Sequence, residues 1–99
     1  MIYPNNLPKT FEKDIQRAVQ ILREEGCSEI YLFGSTATGH ARAESDLDLA
    51  VRGCPRGHFF SLIGRLLVEL DHTVDLVDLD RHNAFAEFLQ KEGTLVQIA

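Results

Sequence analysis

Apolar residues recur along this chain with two periods, and the switches between them mark its elements. From Thr10 onward, Phe11, Ile15, Ala18, Val19 and Leu22 return at helical spacing, with Thr10 placed to cap the helix and Gly26 to end it. Residues 29–33 form a short apolar run that stops at Gly34, the mark of a buried strand, and a turn with room for a short helix follows as far as Gly39. Residues 46–51 then alternate strictly. Leu47, Leu49 and Val51 fall on one face, and Asp46, Asp48 and Ala50 on the other, with the acidic face expected to look outward.

After a turn at 53–57, Phe59, Leu62, Ile63, Leu66, Leu67 and Leu70 make a broad helical stripe, which predicts the main core helix. Residues 73–79 read as a third strand. Asp80 is placed to cap a last helix that buries Phe85, Phe88 and Leu89 and ends at Gly93, and residues 94–98 have the length of a short edge strand. The order α-β-α-β-α-β-α, with no repeat or linker, predicts an α/β sandwich: a lead-in over residues 1–9 and one domain over 10–99.

Ninety-nine residues leave room for one modest core and no second, substrate-holding domain. So small a core, with apolar helix faces, leaves room for self-association or a partner chain. The net charge of −5, with ten scattered Lys and Arg, speaks against direct nucleic-acid binding, which needs clustered cations. Cys27 and Cys54 have neither the number nor the spacing of a disulfide framework or zinc site, so reduced, packed thiols in a cytoplasm are expected. The polar, proline-bearing residues 1–8 are expected to form a loose lead-in and not a signal peptide, and no run approaches the length of a membrane span.

The chemistry concentrates between Phe33 and Val51. Aspartates at i and i+2 on a strand project from one face with Cβ atoms about 7 Å apart. Their mutual repulsion is relieved by a divalent cation, and Mg²⁺ suits the pair because triphosphate oxygens and water complete its octahedron. Gly34 and Ser35 end the preceding strand in a turn where backbone N–H groups and a hydroxyl can approach a phosphate. Ser45 follows Gly34 by eleven positions, enough for the chain to leave one strand and re-enter its neighbour, so that donors and carboxylates could face each other.

Gly34-Ser35, then Gly39, then Ser45-Asp46-Leu47-Asp48-Leu49 resembles the signature of the DNA polymerase beta-like nucleotidyltransferase superfamily, and the short length is similar to its minimal members. The resemblance implies a small palm-like fold, a short mixed sheet of three to four strands packed against helices. It implies a third carboxylate on a later strand, for which Val74-Asp75-Leu76-Val77 matches, and two Mg²⁺ held by Asp46, Asp48 and Asp75. Gly34, Ser35, Thr38, Arg42 and Ser45 are the expected nucleotide-binding positions. Minimal members pair with a helical HEPN-domain protein in toxin-antitoxin modules, so the implied reaction is transfer of AMP from ATP to a hydroxyl of that partner, with this chain as antitoxin. The alternative is a non-catalytic subunit that binds nucleotide or metal and masks the toxin; transfer to a small molecule is a third reading. Thr38 stands where many minimal members carry Arg, which removes a phosphate-facing cation unless Arg42 supplies one. His40 is a candidate nucleotide contact, and His58, His72 and His82 are expected at the surface or at helix ends.

Overall fold

The computed structural model describes residues 7–99. Eight elements follow in the order α1 (Lys9–Glu24), β1 (Glu29–Leu32), α2 (Gly34–Thr38), β2 (Leu47–Arg52), α3 (Phe59–Glu69), β3 (Val74–Asp78), α4 (Ala84–Lys91) and β4 (Val96–Gln97). The strands form one mixed sheet in the order β3-β2-β1-β4. β1 runs antiparallel to β2 (Ile30↔Val51) and to β4 (Tyr31↔Gln97), while β2 and β3 are parallel, with α3 as their crossover.

Alternation along β2 divides the molecule. Leu47, Leu49 and Val51 are fully buried under α1 and α3, in one cluster with Phe11, Ile15, Leu22, Leu62 and Leu66. Ala50 is buried on the opposite face, with Phe33, Leu79 and Leu89, in a much smaller cluster beneath α4. The acidic face of β2 is therefore half covered and not simply outward: α4 roofs Ala50 and leaves the Asp46–Asp48 end open.

Several local expectations give way to tertiary context. Thr10 lies inside α1, whose first turn closes on Pro8 through a 2.9 Å bond from the Phe11 N–H to the Pro8 carbonyl. Residues 1–6 of the expected lead-in lie outside the described residues, and Leu7 packs against the main core. Asn83, not Asp80, caps α4, accepting the Ala86 N–H at 2.8 Å, while Asp80 accepts the Gly53 N–H at 2.7 Å. The α3 stripe is narrower than its sequence pattern: Leu62, Leu66 and the following Leu70 are buried, whereas Leu67 is 52% exposed. On α4, Ala86 and Leu89 face inward, and Phe85 and Phe88 are half exposed.

The cysteines are paired, against expectation. Cys27 follows α1 and Cys54 follows β2; the antiparallel register that sets Glu29 opposite Arg52 brings them together as a disulfide, with Cα atoms 4.0 Å apart. A separation of 27 residues hides this proximity from any spacing argument. With both thiols paired, free cysteines no longer point to a reducing cytoplasm. No described helix is long and apolar enough to cross a membrane.

Candidate active site

β1 carries the chain to the site and then turns sharply. The Phe33 N–H donates to the Asp48 carbonyl at 3.1 Å, and Gly34, at φ +58°, opens the five-residue α2. A Cβ on residue 34 would sit 2.6 Å from Asp48 Oδ2. Glycine is thus required twice, for its left-handed backbone and for the close approach of the carboxylate. Thr36 is fully buried, and its Oγ1 accepts the Asp48 N–H at 3.2 Å, which pins the first turn of α2 to the start of β2. Nothing in the hydrophobic pattern marked Thr36 for this role. Gly39 closes α2 in the left-handed conformation at φ +78°.

The parallel register places Asp48 beside Asp75, and Asp46 lies just before β2. Burial, and then the charges of Asp75 and Asp46, push the Asp48 carboxyl up to about 6. Among the described residues none of the three is in an ion pair. Nor do any three His, Cys, Asp or Glu of the described residues gather closely enough to hold an ion by themselves. The arrangement is an open set of hard oxygen donors short of positive charge. Hard oxygen donors of this kind suit a divalent cation that takes its remaining ligands from elsewhere. Asp78, on the other face of β3, accepts the Asp80 N–H at 2.9 Å.

The loop between α2 and β2 is held by its own groups. Ser45 Oγ accepts the Arg42 N–H at 2.9 Å, and the Ser45 N–H donates to the Arg42 carbonyl at 2.9 Å, so this hydroxyl shapes the entry to β2. Arg42 is exposed on the same loop. Thr38 turns its hydroxyl back on the Gly34 and Ser35 carbonyls, 3.4 Å from each, and His40 Nδ1 lies 3.0 Å from it.

His72 is not at the surface. Its ring stacks on Phe11 at 3.9 Å between centroids, Nδ1 lies 2.7 Å from Asp14 Oδ2, and Nε2 lies 3.1 Å from the Ala43 carbonyl. Asp14, 2% exposed, also accepts the backbone N–H groups of Asp71 and His72. Burial raises its pKa, but these bonds and the His72 charge outweigh that and leave it below the usual carboxylate value. The pair ties α1 to the loop carrying Arg42 and to the entry of β3. A carboxylate inside the Phe11–Ala18 stripe was the signal that could have revealed it.

Residues 7–98 match the family model described as "Polymerase beta, Nucleotidyltransferase". Among solved structures, a toxin-antitoxin complex with AMP-PNP is 30% identical, with a TM-score of 0.62, over 85% of this chain and 70% of that one. A chain provisionally assigned as a minimal nucleotidyltransferase is 26% identical (TM-score 0.65) over 87% of this chain and 92% of its own. The MNT antitoxin complex with a tri-AMPylated HEPN toxin of Shewanella oneidensis is 26% identical (TM-score 0.57) over 85% and 69%. No match was found among curated proteins.

Proposed function

Because this chain belongs to the polymerase beta nucleotidyltransferase family, we propose that it transfers AMP from ATP to a hydroxyl of a HEPN-domain partner, as the antitoxin of the pair. The observation that carries this reading is the packing of the Asp48 carboxylate directly against Gly34, with Asp75 beside it in register. Carboxylates for a metal and a turn suited to phosphate thus meet in one place. The complexes with AMP-PNP and with an AMPylated HEPN toxin support the choice of nucleotide and acceptor.

In this reading Asp46, Asp48 and Asp75 would hold two Mg²⁺, which would supply Lewis-acid polarisation of the α-phosphate and relief of charge on the departing pyrophosphate. The chain's own groups do the rest. The first N–H groups of α2, free of helical partners, and the Ser35 hydroxyl donate to the triphosphate. Arg42, in the adjacent loop, is the cation that takes the place vacated at Thr38. The acceptor oxygen attacks the α-phosphorus, the bond to the bridging oxygen breaks, pyrophosphate leaves, and the hydroxyl proton passes to Asp75. Asp75 is exposed on β3, the edge strand, where a partner can reach it.

A second reading, a masking subunit without catalysis, is favoured by one observation: the Thr38 hydroxyl is turned onto α2's own carbonyls. One experiment separates the two. The protein is incubated with Mg²⁺, α-labelled ATP and the product of the neighbouring gene, beside an Asp46→Asn, Asp48→Asn double variant. Label on the partner that disappears in the variant establishes transfer; tight binding of the two chains without label establishes masking.

A further inference from the structure

A cavity of about 320 Å³ opens beside the phosphate turn. Its floor is Phe33 and Leu89, both nearly buried, and its walls are Phe85 and Phe88 of α4, 49% and 51% exposed. Phe85 meets Phe33 edge to face at 6.0 Å and 73°, which holds that wall in place. Gly34 and Thr38 form one rim and Thr94 the other, and no charged side chain of the described residues lines it. α4 thus leaves at the surface the two phenylalanines whose pattern predicted burial, and it does so where the cavity meets Gly34.

We propose that this cavity is the nucleobase subsite of the triphosphate site, with Phe85 and Phe88 as stacking faces. The proposal rests on the reading of Gly34 and Ser35 as the phosphate turn. Three observations select a base as the occupant. The cavity is continuous with that turn through Gly34 and Thr38. Its volume is at the lower end of small-ligand pockets, and its uncharged aromatic lining suits a π-face and not a phosphate. Its residues come from the end of β1, the approach to β4, and α2 and α4, and none comes from β2 or β3. In the sheet order β3-β2-β1-β4, Asp75 therefore lies on the opposite side of Gly34, which leaves the β3 edge to the acceptor. With only the Thr38 and Thr94 hydroxyls at its rim, the subsite grips the faces of a base more than it reads the edges. Purine triphosphates should bind better than pyrimidine ones, with weak discrimination between ATP and GTP.

The test is equilibrium binding of Mg·ATP and of Mg·tripolyphosphate, which has phosphates and no base, to the wild type, Phe88→Ala and Phe88→Leu. Stacking predicts about tenfold weaker ATP binding for Phe88→Ala, with Phe88→Leu recovering only part and tripolyphosphate binding equal in all three. Equal tripolyphosphate binding also shows that the variants are folded. Unchanged ATP affinity in Phe88→Ala overturns the proposal, and if transfer to the partner then slows, the cavity receives the acceptor instead. Equal weakening of both ligands also overturns it. A wild type that binds ATP and tripolyphosphate equally rejects the base subsite while leaving the phosphate turn standing; a wild type that binds neither rejects both.

Discussion

The two faces of the sheet are built to different standards from the same strand. On the α1/α3 face, β2 contributes Leu47, Leu49 and Val51, each fully buried among the long side chains of two helices. On the α4 face it contributes Asp48 and Ala50, and among the described residues the buried cluster there comprises Phe33, Ala50, Leu79 and Leu89. The first face is closed. The second is thin, carries half-exposed aromatics and ends in three carboxylates that no described cation neutralises. Under the proposed function, stability and chemistry are thereby separated across one sheet, so the site can hold unpaired charge while the opposite face holds the fold.

That division predicts opposite phenotypes from single changes on either face. Asp48→Asn removes a proposed metal ligand and should lower the transfer rate roughly a thousandfold, read by α-labelled ATP under single-turnover conditions. The same change removes a charge that burial and two neighbouring aspartates disfavour, so without Mg²⁺ the variant should melt above the wild type at neutral pH. Leu66→Ala should do the reverse. Deleting this fully buried side chain should cost about 2–5 kcal/mol in urea unfolding, while transfer by the folded fraction persists. A destabilised Asp48→Asn would break the comparison, since it would make the carboxylate structural.

The well-packed face was also the more legible in the sequence. Phe11, Ile15, Leu22, Leu62 and Leu66 were found from periodicity, because a residue that must be buried repeats with its helix. Gly34, Asp46, Asp48 and Asp75 were singled out for a different reason: a turn and paired strand carboxylates have few uses in common, and their resemblance to a known signature narrowed those uses further; the structure brings Asp48 against Gly34 and beside Asp75, and their role in transfer is the proposal above. What escaped depends on distant neighbours. Phe85 and Phe88 follow the same apolar rhythm as Leu89, and only the small footprint of α4 decides that they remain half exposed. The Asp14–His72 pair and the disulfide join segments 58 and 27 residues apart, beyond any local pattern.

The disulfide tests whether the closed face depends on its covalent tie. Cys27 belongs to the α1/α3 core, and the bond links the end of α1 to the turn after β2. Constraint of the unfolded chain should contribute about 2–4 kcal/mol, so dithiothreitol should move the urea midpoint downward by a corresponding amount. Neither cysteine touches the carboxylates or Gly34. Transfer at low denaturant should therefore be the same in oxidised and reduced protein, and a redox-dependent rate would show that the two faces communicate.

The subtlest difference is the response to pH. Asp14, on the closed face, has a folded pKa below its ordinary value, so its contribution to stability is complete above the unfolded value near 3.8 and is lost as pH falls through the folded one. Asp48, on the open face, titrates near 6, above its unfolded value; its stabilising effect belongs to the protonated form, is complete below about 3.8 and disappears as pH rises through 6. Without metal, Asp14→Asn should flatten the acid limb of the stability profile, and Asp48→Asn should flatten the decline between about 4 and 6. Mg²⁺ competes with the same proton, so it should bind progressively more tightly, and stabilise progressively more, as pH rises through 6. Wild-type stability measured with and without Mg²⁺ should thus diverge across that interval. Parallel curves would mean that the ion does not bind at Asp48, and the open face would then have no claim to the chemistry assigned to it.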